Sequence, residues 1–201
     1  MLVLLGTLVT AAALLAFIAR KVVANETESV DKRVRGFLQA HRTRALDVIT
    51  KPITLLSIPL LIVAVTAVIV WWLHNIGSNN AALAIGVTPI MAAALGQAFT
   101  VFFPQPQPPD AIVERNGKSP ATFPSGHTTG VTAEALTIAC VLSSEGLASP
   151  AAIAGLLAWP LLVGVSRLYR DRHWFSDTVA GWIAGIGVAS ISLLLYQARV
   201  L

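Results

Sequence analysis

Residues 166 to 177 read SRLYRDRHWFSD and hold three arginines, two aspartates and a histidine, although the runs on either side are apolar enough to cross a membrane. His173 precedes Asp177 by four residues, one helical turn, so the carboxylate can accept one ring N–H and leave the other imidazole nitrogen with its lone pair. An oriented neutral imidazole is a nucleophile. Arg167, six residues before His173, offers a planar fork of donors that matches phosphate oxygens. A second stretch, FPSGH at 123 to 127, supplies a capping serine, a glycine that lets a ligand approach the backbone, and a histidine in a first helical turn. Helix N-termini carry unbonded N–H groups and a partial positive charge, which suits Ser125 and Gly126 to a phosphate. Taken singly, PSGH is a capped helix start and a histidine at a membrane edge is an interfacial side chain. Two histidines, an arginine and an aspartate together favour chemistry on a phosphoryl group.

These residues need elements to carry them, and composition restricts which. The chain has 201 residues, of which 55% are hydrophobic and 12% charged. Its mean hydropathy of +0.73 is far too high for an ordinary soluble domain. A soluble helical protein would alternate polar and apolar faces, and most of the long runs here have no polar face. Measured against the ~20 residues needed to cross hydrocarbon, six spans are expected: Met1 to Ala19, Ile53 to Leu73, Ala81 to Phe103, His127 to Ser144, Ser149 to Ser166 and Trp174 to Tyr196. The first lacks a basic leader and a small-residue cleavage site before Arg20, so it is read as retained rather than as a signal peptide. Gly181 and Gly185, spaced as GxxxG, suit close helix packing. The prediction is an all-α polytopic membrane protein, a six-helix bundle forming one domain over 1–201. Cys140, the single cysteine, excludes an intrachain disulfide and is expected to be a small buried hydrophobe.

Charge is distributed unevenly between the connections. Thirteen of the fourteen lysines and arginines follow spans one, three and five, the same face that bears both motifs. Between Val30 and Ile49 the apolar positions Val34, Phe37, Leu38, Ala45 and Leu46 recur at helical spacing among basic residues. That pattern predicts an amphipathic helix, either lying in the membrane interface or packed on the bundle. The expected partners are membrane lipids and a lipid phosphate, with no nucleic acid; oligomeric state is not encoded in any readable feature. By the positive-inside rule the motif face is cytoplasmic, and the compact chain suggests a bacterial inner membrane.

The two motifs resemble signatures of the type 2 phosphatidic acid phosphatase superfamily, membrane phosphatases related to vanadium haloperoxidases. PSGH matches Pro124, Ser125, Gly126 and His127, and SRxxxxxHxxxD matches Ser166, Arg167, His173 and Asp177 at the same spacing. The resemblance implies an in-line displacement in which His173, oriented by Asp177, forms a phosphohistidine while His127 protonates the departing lipid oxygen. Arg167, Ser125 and Gly126 would bind the equatorial oxygens, with no metal and no cofactor. One signature departs: where KxxxxxxRP is expected, Thr100 stands for the lysine and Gln107 for the arginine. Lys118 and Arg172 are the favoured replacements, with Arg115, Arg170 and Gln105 as others within the same loops. Polyprenyl or glycerolipid phosphates and diphosphates fit a site at the membrane rim. The vacated cations also admit another reading, a catalytically weak or inactive protein that binds or transports a lipid phosphate. Glu134, two turns after His127, is an ionisable residue deep in an apolar run; a hydrogen bond between helices accounts for it as well as chemistry does.

Overall fold

Ser125 and Ser149, each followed by an apolar run, cap helices as their positions predict: their hydroxyls accept the N–H groups of Thr128 and Ala152 at 3.4 and 3.2 Å. Pro59 and Pro150 occupy first-turn positions, where a missing N–H is harmless. The computed structural model describes residues 1–103, 108 and 122–198, and these form eight α-helices with no strand among the described residues. They are α1 (Leu2–Val23), α2 (Glu28–Ala40), α3 (Arg44–Leu56), α4 (Pro59–Asn75), α5 (Asn79–Phe102), α6 (Gly126–Ser144), α7 (Pro150–Tyr169) and α8 (Phe175–Ala198).

Helix α6 is the centre of the bundle, packed against α8, α7, α5 and α4, while α1 covers the other side of α8. The α6–α8 seam depends on small residues. A Cβ placed on Gly185 would lie 2.5 Å from the Thr132 Cβ and 2.8 Å from the Thr129 carbonyl oxygen. One placed on Gly181 would lie 2.9 Å from the Thr128 Cβ and 3.0 Å from the Ser125 carbonyl oxygen. Part of the obstruction is backbone, which cannot rotate aside, so the GxxxG pair sets how closely the two motif-bearing helices approach. Gly185→Ala is therefore expected to destabilise the fold by ~1–3 kcal/mol through overpacking. Denaturation of purified protein in detergent checks this; a midpoint equal to that of the unaltered chain would contradict it.

Large apolar side chains cover the outside of the bundle, among them Leu2, Leu60, Ile90, Val101 and Leu161. A soluble protein does not expose such a surface, whereas lipid solvates it. Helices α1, α5, α7 and α8 are each long and apolar enough to cross a membrane, and α3 with α4 passes the same test as a pair bent by 56°. The expected span Ile53 to Leu73 is thus not one helix. Ile53 to Leu56 close α3, and the chain turns before Pro59 because a residue preceding proline is forced from helical to extended backbone, as Ile58 is (ψ 145°). Helix α6 falls outside the count because its interior threonines and Glu134 lower its apolarity. Cys140 is exposed rather than buried. It sits on the outward face of α6, where a small apolar residue is equally at ease against lipid.

The amphipathic segment is likewise two helices, α2 and α3, separated at 41–43. Its apolar positions are not what docks it: Phe37 is 62% exposed and Leu46 40% exposed. The fully buried residue of α2 is Asp31, because the surface beneath is a polar turn and a helix N-terminus. At the other end of the bundle Ser78 and Tyr196 both donate to the Glu145 carboxylate, and the described connections there carry no lysine or arginine.

Candidate functional site

The two motifs meet through the backbone. The Ser125 N–H donates to the Asp177 carbonyl at 3.0 Å, joining the start of α6 to the first turn of α8. The Ser125 hydroxyl is turned to Thr128, 2.9 Å from its Oγ1, and so serves as the helix cap. Gly126 is exposed, and a Cβ there would touch nothing within 4 Å. Space for a ligand therefore lies against the first N–H groups of α6, which have no partner within a helix.

Asp177 is fully buried at the third position of α8, and its Oδ2 accepts the Trp174 N–H at 3.0 Å. That is the acidic half of a capping box. The same oxygen lies 3.5 Å from His173 Nδ1, and Nδ1 has no aligned acceptor among the described residues. The contact is longer than a well-formed hydrogen bond, as such pairs often are where no ligand is bound. Burial is the largest influence on the His173 ring and pushes its pKa below the ordinary histidine value, against the Asp177 carboxylate and the Thr122 backbone, which favour the charged form. Nearby Arg167 adds to the depression. The ring is neutral at pH 7, the state a nucleophile needs.

Arg167 sits in the last turn of α7, 9% exposed, with no hydrogen-bond partner for its Nε among the described residues. Buried donors are almost always paired, so a buried guanidinium N–H left open among the described residues is suited to a further acceptor such as an anion. Its charge acts on both His127 and His173, and Arg172 acts on His127 as well. Two imidazoles and two guanidiniums crowded together repel one another in their charged forms; an anion among them removes that repulsion. Of the residues expected at the site, His127, His173, Asp177, Arg167, Arg172, Ser125 and Gly126 are brought to one end of the bundle. Lys118, Arg115, Gln105 and Gln107 lie outside the described residues. Thr100 bonds back to its own helix, its hydroxyl donating to the Gln97 carbonyl at 2.8 Å. Glu134 pairs with Thr66 of α4 at 2.6 Å, a link between helices.

Residues 81–201 match the PAP2 superfamily. The chain belongs to this superfamily. No curated protein matches it in sequence. The structure is similar to the crystal structure of a PAP2-type phosphatidylglycerolphosphate phosphatase from Bacillus subtilis, with a TM-score of 0.84 and 18% identity over 97% of this chain and 98% of that one. It also resembles Aquifex aeolicus LpxE, with a TM-score of 0.62 and 24% identity over 81% of this chain and 93% of that one. At those identities the likeness establishes a PAP2 membrane fold. Sequence reasoning did not find Thr122, Asp31, Arg35 or Asp171 beside the site. The one readable signal was the spacing of four between Asp31, Arg35 and Gln39, which puts all three on one face of α2.

Proposed function

We propose that the chain is a metal-independent phosphatase of lipid phosphates or diphosphates, a single domain over residues 1–201. The clustering of His127, His173 and Arg172 around a buried Arg167 with an open Nε supports this reading most directly. His173 attacks phosphorus in line as the P–O bond to the lipid breaks, and His127 delivers a proton to the departing oxygen. The product bound to the protein is a phosphohistidine. Water, deprotonated by the now neutral His127, then attacks phosphorus and releases inorganic phosphate with His173 restored. Arg167, the Ser125 hydroxyl, the Gly126 N–H, Lys118 and Arg172 bind the three equatorial oxygens as their charge grows. Asp177 holds the imidazolium side of His173.

The substrate class follows from position. A phosphate at the bundle's polar end, on an apolar body lodged among exposed leucines, valines and phenylalanines, describes a polyprenyl or glycerolipid phosphate. In this reading the bent α3–α4 pair and α6 also cross the bilayer, giving six crossings in a bacterial inner membrane with the basic, motif-bearing end facing the cytoplasm. The absence of lysine and arginine at Thr100 and Gln107 favours the rival reading, a protein that binds lipid phosphate without turning it over. Arg172 weighs against it, since a second arginine acting on His127 supplies part of the missing charge. Phosphate release by purified protein, with a chelator present, from polyprenyl phosphate, polyprenyl diphosphate, phosphatidate and phosphatidylglycerophosphate separates the two. Release from at least one supports catalysis; saturable binding with no release overturns it.

A further inference from the structure

The segment that carries His173 is gripped by α2. Asp171 has a positive φ of 59°, the left-handed conformation common just past a helix C-terminus, and its N–H donates to the Leu168 carbonyl and that of Arg172 to the Arg167 carbonyl, each at 3.0 Å, closing the turn after α7. It is also 4% exposed, so its carboxylate is removed from water. Arg35 compensates the buried charge with a two-pronged contact, Nε to Oδ1 at 2.8 Å and Nη2 to Oδ2 at 2.9 Å, and the Gln39 amide adds a third donor at 3.2 Å. One turn earlier on the same face, Asp31 accepts the Ser176 N–H and the Ser176 hydroxyl, each at 2.8 Å. Those donors belong to the first turn of α8, whose N–H groups have no partner within the helix. His173 thus stands between two anchored points, residues 171 and 176, both fastened to α2. Its own contact to Asp177 is the looser 3.5 Å approach, and the Asp177 oxygen concerned is already engaged by Trp174.

We infer that Arg35, with Asp171 and Asp31, positions the His173 ring: docking of α2 sets the turn in which the proposed nucleophile sits. A glycine at 171 would reach the same conformation unaided. An aspartate there leaves a buried carboxylate without compensation unless its partner is in place, which ties the alignment of His173 to a residue 136 positions away in the chain. Asp171 is engaged by Arg35 and Gln39 and Asp31 by Ser176, so their effect passes through the ring.

The inference rests on the phosphatase reading for its kinetic test and is independent of it for its structural test. In full-length protein in detergent, Arg35→Ala is expected to lower kcat by ~10- to 100-fold, the size of effect that displacing a reacting group by ~1 Å produces, with KM for the lipid phosphate within ~2-fold. Arg35→Lys should not restore it, because an ammonium cannot make the two-pronged contact. Adding Asp171→Gly to Arg35→Ala should recover much of the lost kcat, since it removes the unpaired carboxylate and supplies the backbone freedom; this also guards against a mere failure of Arg35→Ala to fold. Hydrogen exchange of the amides at 170–176 should speed up in Arg35→Ala and slow again in the double variant. An unchanged kcat with unchanged exchange, a raised KM at constant kcat, or a double variant as impaired as the single one each overturns the inference. If the unaltered protein releases no phosphate, or His173→Ala releases it equally fast, the phosphatase reading fails, and the exchange measurement alone then decides the role of α2.

Discussion

Replacing His173 with alanine is expected to reduce phosphate release on the order of 10⁴-fold or more, as loss of a covalent nucleophile does elsewhere. The side chain is buried beside Asp177, Arg167 and the Thr122 backbone, and a methyl group retains none of its capacity to accept the phosphoryl group. No neighbour can take over: His127 belongs to α6 and is given the proton-transfer role. A radiolabelled or mass-shifted phosphohistidine, trapped by rapid quenching, should appear on the unaltered protein and be absent from the variant. Acid sharpens the test. Burial holds the ring's pKa below the ordinary histidine value, so the unfolded chain takes up a proton at this position before the folded chain does. The stability it contributes is therefore fully present above ~6.5, the unperturbed histidine value, and is lost as pH falls toward the folded value. Activity that depends on the neutral ring should persist through that interval and decline only as pH reaches the lower, folded value. His173→Gln should flatten the stability change between pH 7 and pH 5; a slope identical to that of the unaltered protein would contradict the neutral, buried ring.

Arg167→Ala should lower kcat by ~10²- to 10³-fold, the loss that follows removal of one donor from a developing oxyanion. The expectation is at the upper end of that range for a physical reason. With Thr100 and Gln107 in place of two cations, fewer positive groups share the transition-state charge, and each remaining one carries more of it. Arg167 is more buried than Arg172, and low local dielectric strengthens its pull on phosphate oxygens. Lysine at 167 should restore little, because a point charge cannot reproduce the planar fork that meets two oxygens. Steady-state kinetics on the lipid substrate that the unaltered protein prefers, with Arg172→Ala measured in parallel, test the division of labour. A loss for Arg172→Ala greater than that for Arg167→Ala would reverse the order proposed here.

Some of the molecule was legible in the amino-acid string because the responsible physics is local. Long apolar runs had to be helices solvated by lipid, since backbone groups in hydrocarbon must be paired within their own segment. Ser125 and Ser149 marked helix starts through side chains that bond three residues ahead. The four-residue step from His173 to Asp177 fixed their neighbourhood, and the glycines at 181 and 185 announced a close seam. Tertiary structure alone decided what crossed large distances in sequence. It tied Ser125 to Asp177, turned Asp31 and Arg35 toward residues 176 and 171, bent the second apolar run ahead of Pro59, and placed Arg172 where it acts on His127. Hydropathy marks which surfaces avoid water but does not say which charge lies opposite another 50 or 130 residues away. A buried carboxylate and its guanidinium become a pair only when the helices that bear them have packed.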